Sequence, residues 1–296
     1  HLHAKPELSF QEFETTQYLA EKVQALGYNL QTITETGGFV DIKGKNPERK
    51  TIALRGDIDA LPIVEANTVE YKSTHEGVMH ACGHDVHTTC VLGALTILDK
   101  LKNEFEGTVR CIFQPGEERL PGGASIMIEK GVLKPNVQKI FGQHVMPLID
   151  AGKVGFRSGL YMASADEIYI KVIGKGGHGA HPHKNIDPVM ISAQLITQLQ
   201  SVVSRRANPA NPTVLSIGKV IAEGSTNVIP NEVNMEGTFR AFNEEWRMEA
   251  HQIIKDICNS ICKAHGAQCE VEVRKGYPFL NNNVELTEKA KNSAIE

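Results

Sequence analysis

Apolar strands alternate with helices through the first half of the chain, and this alternation constrains the fold more than any other feature. The stretches TIALRGDID and GTVRCIFQPGEE predict buried strands, and the largely apolar helix TTCVLGALTILDKL lies between them. GGASIMIEKGVL then predicts a helix that ends at Gly131, and VQKIFGQHV predicts the next strand. Such an alternation favours an α/β domain with a doubly wound, largely parallel sheet that is covered on both faces.

The pattern changes at about Asp166. From DEIYIKVIGKGG to AQCEVEVRKG the segments predict a strand, a helix, two strands, a helix and a strand. This β-α-β-β-α-β order is typical of a ferredoxin-like unit. We therefore predict a first domain at residues 1–165, an inserted domain at 166–276 and a return of the chain to the first domain at 277–296.

Composition excludes two classes of partner. Of the 296 residues, 41% are hydrophobic and 22% are charged, which is the profile of an ordinary globular protein. Because no apolar run approaches the roughly 20 residues that span a bilayer, no membrane partner is expected. The formal net charge is −4, which argues against nucleic acid because phosphate binding needs a basic surface.

The cysteines predict reduced thiols in a cytoplasmic protein. A chain of this size does not need disulfides to stabilise its core, and the cysteines are scattered, mostly within apolar segments. Only the first of them lies in a cluster of polar residues. The six are Cys82, Cys90, Cys111, Cys258, Cys262 and Cys269.

Polar side chains follow three of the predicted strands, at the point where each strand ends. Asp57 and Asp59 follow IALRG. Glu117 and Glu118 follow VRCIFQPG, and His144 closes IFGQH. Because open parallel sheets bind ligands at the carboxyl ends of their strands, we expect these groups to converge there.

The motif MHACGHDVH is interpreted first as part of a metal site. Thiolate and imidazole suit zinc or a neighbouring first-row metal. Cys82 and His84 are two residues apart, so their side chains leave an extended loop on the same side. Zinc needs about four ligands. The remaining ones could come from Glu117, Glu118 and His144.

Two other interpretations of the motif remain. Cys82 could be a nucleophile with His84 or His87 as its base, but catalytic Cys–His pairs usually come from separate segments. The histidines could also form local hydrogen bonds, which is our expectation for His80 and His87. Asp85 is predicted to cap the helix that follows.

The adjacent pair Glu117-Glu118 suggests a division of labour. One carboxylate can ligate a metal while its neighbour acts as general base toward water and then passes the proton to a leaving amine. An isolated Glu-Glu pair is usually a solvated turn. Here it follows a buried strand and a Pro-Gly turn, which favours a functional role.

Eight motifs occur in the order found in one family of enzymes: LHAKPELSFQE, RGDIDALP, MHACGHDVH, QPGEE, FGQHV, GKGGHGAHPH, NVIP and GTFR. Together they resemble metal-dependent amidohydrolases of the aminoacylase and carboxypeptidase G superfamily. The chain is most similar to the hippurate hydrolases, N-acetyl-amino-acid deacetylases and auxin–amino-acid conjugate hydrolases. The resemblance covers essentially the whole chain.

The resemblance implies a site that holds two divalent metal ions, which could be Zn, Mn, Co or Ni. Glu117 matches the general base, and Asp59 matches the acid that orients a neighbouring ligand. Asp57 stands where the zinc peptidase relatives carry a ligating histidine. Four of the family's metal ligands match Cys82, His84, Glu118 and His144.

The same resemblance makes the inserted domain a lid and dimerisation module. His178 and Asn227 match residues that polarise the scissile carbonyl, and Arg240 matches the residue that grips the substrate carboxylate. Without the resemblance, a turn histidine, a turn asparagine and a strand-edge arginine would be the preferred interpretations. His181 and His183 are expected to have no role in catalysis.

One ligand of the family pattern is missing from the sequence. The last metal ligand of the family is a histidine near the C-terminus, but no histidine follows Gly276. We therefore expect that ligand to lie beyond residue 296.

The function implied by the resemblance is hydrolysis of the amide bond of an N-acyl amino acid by a homodimer or higher homo-oligomer. Two alternatives remain: a non-catalytic homologue that binds N-acyl amino acids, and a metallo-dipeptidase or carboxypeptidase.

Overall fold

The computed structural model describes residues 1–295 as two units, residues 1–151 and a second unit that begins at Gly152. A four-stranded sheet in the order β1-β3-β2-β4 lies at the centre of the first unit. Its strands are β1 (Gly38–Lys43), β2 (Thr51–Asp57), β3 (Thr108–Gln114) and β4 (Val137–Gly142).

This sheet confirms the largely parallel arrangement. Strand β2 runs parallel to both β3 and β4. Strand β1 pairs antiparallel with β3, and its segment GFVDIK was not among the predicted strands. Its Asp41 interrupts the apolar pattern and is explained by a partner on the next strand, since the Arg110 guanidinium donates two hydrogen bonds of 2.7 Å to its carboxylate.

Helices cover both faces of the sheet. Helices α1 (Phe13–Gln24) and α2 (His84–Lys100) pack on one face, and the shorter α3 (Gly123–Glu129) packs on the other. Strand β3 is buried along its whole length, and its successive side chains enter opposite layers. Cys111 and Phe113 join Leu19 and Leu95 of the first two helices, whereas Ile112 joins Met127 of α3.

The second unit contains a four-stranded antiparallel sheet in the order β11-β6-β10-β8. The elements in chain order are β5 (Gly159–Met162), β6 (Asp166–Ile173), β7 (Gly177–His178), a 3-10 turn (Pro182–Lys184), α4 (Pro188–Ser201), a π-helical turn (Val202–Arg206), β8 (Thr213–Ile221), β9 (Val228–Ile229), β10 (Glu232–Ala241), α5 (Glu244–Ala264), β11 (Gln268–Lys275), β12 (Leu280–Asn282) and α6 (Val284–Ser293).

Helices α4 and α5 share a core with this sheet. Every second residue of β6 is buried, so Ile168, Ile170 and Val172 face the helices. Both helices begin at residues whose side chains accept hydrogen bonds from the first turn, Asp187 for α4 and Asn243 for α5.

Two segments at the predicted domain boundary pair with each other. Strands β5 and β12 form a two-stranded ribbon, and both fall in the second unit. The assignment of residues 152–165 and 277–296 to the first domain stays a prediction. No helix within residues 1–295 is long and apolar enough to cross a membrane.

A buried ion pair joins the start of β6 to α5. The Arg247 guanidinium donates to the Asp166 carboxylate through Nε at 2.8 Å, the His251 ring contacts the same carboxylate at 2.7 Å, and the backbone N–H of Gly276 donates at 3.0 Å. Burial alone would raise the pKa of Asp166, but the hydrogen bonds from Arg247 and His251 hold that pKa well below its usual range.

We expect Asp166→Ala to destabilise the second unit by about 3–5 kcal/mol, because the buried guanidinium of Arg247 loses its buried partner and keeps only the partly exposed carboxylate of Glu244. Urea unfolding followed by the fluorescence of Trp246, the single tryptophan, measures this loss. Lys275→Ala is the matched control: it removes an exposed ion pair with Glu244 and should cost less than about 1 kcal/mol.

The Asp166–Arg247 ion pair also predicts that the free energy of unfolding depends on pH. Since the folded-state pKa of Asp166 is depressed, its stabilising contribution is present above the unfolded pKa of about 3.9 and is lost as the pH falls below that value. The stability difference between wild type and Asp166→Ala should therefore narrow below about pH 4. An unchanged difference at acidic pH would contradict the ionic origin of the effect.

Candidate metal centre

The polar groups that follow β2, β3 and β4 lie at one edge of the first sheet. Parallel pairing places Asp57 of β2 beside Gln114 of β3, and Arg55 of β2 beside Gly142 of β4. The segments that leave these strands therefore start from the same edge, as the sequence predicted.

The loop that carries Cys82 and His84 turns at Gly83. This glycine has φ +78°, and a Cβ at this position would lie 2.8 Å from a side-chain carbon of Val145. Any larger residue would be strained and would clash, so glycine is required between the two predicted ligands. The turn allows α2 to begin at His84 itself.

The predicted helix cap at Asp85 is wrong. Gly83 occupies the cap position of α2, and the Asp85 side chain makes no capping hydrogen bond. Its carboxylate instead contacts His3 Nδ1 at 2.8 Å, and His3 Nε2 lies 3.2 Å from Glu65 Oε1. Because a tertiary partner is available, the carboxylate is drawn away from the helix terminus.

His84 is fully buried, and its ring is oriented by Asp59. Nδ1 lies 2.9 Å from the Asp59 carbonyl and 3.2 Å from its Oδ1, which assigns the proton to Nδ1. Nε2 is buried and has no hydrogen-bond partner among the described residues. It lies 3.8 Å from Glu118 Oε1 and 3.9 Å from Glu117 Oε2.

The charge around His84 is strongly negative. Burial lowers the pKa of His84, but the hydrogen bond to Asp59, the nearby Cys82 thiol and the charge of Asp57 outweigh burial and raise it to about 11. The raised pKa of His84 reflects the negative charge that surrounds this buried ring. A bound divalent cation would neutralise the same charge.

Cys82 and His144 form a second contact at this edge. The Cys82 Sγ lies 3.4 Å from His144 Nε2, and His144 Nδ1 lies 2.8 Å from the carbonyl of Val145. The contact with His144 and the nearby ring of His84 lower the pKa of Cys82, which favours the thiolate, the form of cysteine that binds metals.

Among residues 1–295 the donor atoms form three overlapping sets, and within each set the ligand atoms lie within 4.8 Å of one another. His84 belongs to all three. The sets are Cys82–His84–His144, His84–Glu117–Glu118 and Asp57–His84–His87. Thiolate, imidazole and carboxylate donors around an unpartnered, buried imidazole nitrogen fit zinc or a related first-row metal.

Asp59 connects this donor set to the backbone. Its buried Oδ2 accepts from the Ser9 hydroxyl at 2.7 Å and from the Glu118 N–H at 2.9 Å, while Oδ1 contacts the ring of His84. Burial would raise the pKa of Asp59, but the hydrogen bonds from His84 and Glu118 lower it. One ionised carboxylate therefore orients one candidate ligand and supports the loop of another.

The Glu117 carboxyl has a raised pKa. Burial, followed by the nearby charges of Asp57 and Glu118, raises the pKa of Glu117. A carboxylate with a raised pKa accepts a proton more readily at neutral pH.

The hydrogen bonding of His80 and His87, the remaining histidines of the motif, differs from the local pattern that was expected. His87 Nε2 accepts a hydrogen bond from the backbone N–H of Asp57, a partner 30 positions away rather than a local one. His80 is buried, and neither ring nitrogen has a partner among the described residues, so the predicted local hydrogen bonds are wrong. The set that joins Asp57 to His87 was missed, although a helical histidine three residues after His84 is a usable signal.

Three of the predicted residues lie in the second unit. His178 of β7 pairs with Val228 of β9, and the N–H of Gly179 donates to the Asn227 carbonyl at 2.8 Å, so His178 and Asn227 share one small ribbon. Arg240 is exposed on β10. Their catalytic roles stay predictions.

Residues 53–296 match Peptidase family M20/M25/M40. The chain is 44% identical over 283 residues to the N-acyl-L-amino acid amidohydrolase of Geobacillus stearothermophilus, covering 95% of this chain and 76% of that protein. It is 40% identical over 295 residues to the N-acetyl-L-cysteine deacetylase of Bacillus subtilis, covering 99% and 70%. The crystal structure of the Bacillus subtilis YXEP protein, a dinuclear metal-binding peptidase, matches with a TM-score of 0.82 and 36% identity and covers 99% of this chain and 76% of that one.

The chain therefore belongs to peptidase family M20/M25/M40, and the relationship that its motifs predicted is confirmed. It is a metal-dependent hydrolase of amide bonds with a mixed α/β fold.

Cobalt provides a direct test of the metal centre. Apo protein titrated with Co²⁺ should develop the near-ultraviolet absorption of a thiolate–cobalt bond, and Cys82→Ser should abolish that absorption because no thiolate remains among the donors. Asp59→Asn should retain the band but weaken cobalt affinity about 10–100-fold, since the ring of His84 loses its anionic partner. Cys90→Ser removes an exposed thiol outside the donor sets and should leave the titration unchanged.

Proposed function

We propose that this protein hydrolyses the amide bond of N-acyl amino acids, with acetyl, benzoyl or similar acyl groups. The observation that carries the proposal is the buried Nε2 of His84, which has no hydrogen-bond partner within residues 1–295 and faces the carboxylates of Glu117 and Glu118. The similarity to the Geobacillus stearothermophilus amidohydrolase supports the substrate class.

In this proposal Cys82, His84, Glu118 and His144 hold two divalent ions, drawn from Zn, Mn, Co or Ni. The ions supply Lewis acidity toward the carbonyl oxygen and toward water. Glu117 takes a proton from the attacking water and passes it to the leaving amine. Its raised pKa suits both transfers, because the carboxyl must bind the proton and release it within one turnover.

We assign two tasks to the second unit, which we propose is a ferredoxin-like lid. His178 and Asn227 polarise the scissile carbonyl, and Arg240 binds the free carboxylate of the substrate through its planar guanidinium. The strand and helix order of the unit and the shared ribbon of His178 and Asn227 support this assignment.

We also propose a cytoplasmic homodimer or higher homo-oligomer. All six cysteines are free, which suits a reducing compartment. Edge strand β8 is nine residues long and exposes Val214, Val220 and Ile221, a surface that a second copy could cover.

A chelator test separates metal-dependent hydrolysis from the cysteine-nucleophile interpretation of the motif MHACGHDVH. The 3.4 Å contact between Cys82 Sγ and His144 Nε2 joins a thiol and an imidazole from separate segments, as in thiolate–imidazolium pairs. The chelator should abolish metal-dependent hydrolysis, whereas it would leave hydrolysis by a Cys82 nucleophile intact. Iodoacetamide does not separate the two mechanisms, because Cys82 is needed in both.

Glu117→Gln tests the proposed base. It should lower kcat by about 10²–10⁴-fold because the amide cannot accept a proton, while metal content stays at the wild-type level. The measurement is release of free amine from N-acetyl amino acids, N-benzoyl amino acids and dipeptides, together with metal analysis. Glu129→Gln, an exposed substitution at the end of α3, is the control. Wild-type turnover by Glu117→Gln would rule out the mechanism, and preferential cleavage of dipeptides would favour a peptidase.

Arg240→Ala tests carboxylate recognition. KM for an N-acyl amino acid should rise roughly 10–100-fold, the loss of a charged hydrogen bond worth about 1.5–3 kcal/mol. KM for the corresponding neutral N-acyl amino amide should not change. Arg274→Ala, another exposed arginine of the same sheet, should affect neither substrate. Equal losses on both substrates would contradict the assignment.

A further inference from the structure

The loop that carries Glu117 is tied to the N-terminal segment by a buried carboxylate. Glu12, which precedes α1, has no exposed surface. Its Oε1 accepts hydrogen bonds from the backbone N–H of Gly116 at 2.7 Å and of Phe10 at 2.9 Å, and its Oε2 accepts from the Thr36 hydroxyl at 2.6 Å. One oxygen therefore joins residues more than 100 positions apart in the sequence.

The chemistry of Glu12 is unusual for a buried acid. Within residues 1–295 its carboxylate forms no salt bridge, so hydrogen bonds alone compensate its burial. Burial raises the pKa of Glu12, and the hydrogen bonds from Thr36 and Gly116 counter that rise. A buried carboxylate costs free energy relative to an apolar side chain, so the geometry it imposes needs an explanation.

The hydrogen bond from Gly116 to Glu12 fixes the backbone at the residue immediately before Glu117. Gly116 has φ +55°, and a Cβ there would lie 2.4 Å from the ring of Phe10. Phe10 itself has φ +65°, which is uncommon for a bulky residue. The shared oxygen of Glu12 holds both backbone N–H groups, so the loop and the N-terminal segment are held in close contact.

The residue immediately after Glu117 is held in the same way. The N–H of Glu118 donates to Asp59, which also accepts the hydroxyl of Ser9 from the N-terminal segment. Glu117 therefore lies between two backbone N–H groups that are each fixed by a buried carboxylate. The motif ELSFQE, which contains Ser9 and Glu12, has a structural task that the metal site alone does not explain.

We propose that Glu12 is a positioning residue for the Glu117 carboxylate, acting through the N–H of Gly116. The proposal rests on the proposed function, in which Glu117 is the general base. A group that transfers protons must lie within hydrogen-bond reach of its substrate, and a misplacement of about 1 Å can cost about 10²-fold in rate. Glu12 touches neither substrate nor metal and contributes only by holding the loop.

The test compares Glu12→Ala, Glu12→Gln and Glu7→Ala in the full chain loaded with divalent metal. The substrate is the N-acetyl amino acid that the wild type hydrolyses fastest. Glu12→Ala should lower kcat about 10–100-fold with KM within about threefold and with unchanged metal content. Glu12→Gln should restore most of the rate, because its amide oxygen can still accept from the N–H of Gly116. If Glu12→Ala is insoluble, Glu12→Asp replaces it: the shorter carboxylate withdraws from that N–H and should give the same selective loss of kcat.

Glu7→Ala is the matched control. The Glu7 carboxylate also accepts two backbone N–H groups, at 3.1 and 2.7 Å, but they belong to Glu14 and Thr15 of α1 rather than to the catalytic loop. This variant should lower the melting temperature and keep the wild-type kcat. If Glu7→Ala and Glu12→Ala lose kcat equally, the effect is general destabilisation and the proposal is wrong.

A double-mutant cycle with Glu117→Gln separates the two proposals. If Glu12 acts through Glu117, adding Glu12→Ala to Glu117→Gln should lower kcat no further. Independent, multiplicative losses would overturn the positioning role, as would a loss of metal in proportion to the loss of rate. If Glu117→Gln is inactive while Glu12→Ala has wild-type kcat, only the positioning role fails. If Glu117→Gln is fully active, the proposed function fails as well.

Discussion

The hydrogen bonds between Asp59 and His84 are the constraint on which the candidate centre depends. They assign the proton of the buried ring to Nδ1. Nε2 then faces two carboxylates and has no hydrogen-bond partner in the described part of the chain. The same Asp59 carboxylate accepts the N–H of Glu118. The orientation of an imidazole donor and the position of a carboxylate donor are therefore coupled through one side chain, so a change at Asp59 should affect both.

The sheet of the first unit makes this coupling possible. Parallel strands β2, β3 and β4 end at one edge. The donors of the first unit lie at the end of β2 or in the loops and the helix that follow these strands. Helix α2 starts at His84 only because Gly83 adopts a left-handed conformation beside Val145. Fold and site share the same residues here, since a glycine that the fold requires lies between two candidate ligands.

Much of the fold and of the donor set could be predicted from local patterns. The alternation of apolar segments predicted the largely parallel sheet, and polar residues after three strands predicted where they would meet. The antiparallel strand β1 was missed because the charge of Asp41 breaks its apolar pattern, and its partner Arg110 lies 69 positions away. The cap at Asp85 was wrong for a similar reason, since local rules do not include a distant partner such as His3.

The sequence by itself determined the family, the residue types of the donor set and the existence of a Glu-Glu pair after a buried strand. These features are local, because motif spacing and apolar periodicity depend on residues that are close together in the sequence. Only the tertiary structure decided that His84 Nε2 faces Glu117 and Glu118, that the Cys82 thiol contacts His144, and that Glu12 accepts a hydrogen bond from the loop of Glu117. Each of these contacts joins segments that are distant in sequence. Local sequence patterns cannot predict such contacts, because the partner of a hydrogen bond or of a buried charge depends on which segments lie close together in the folded chain.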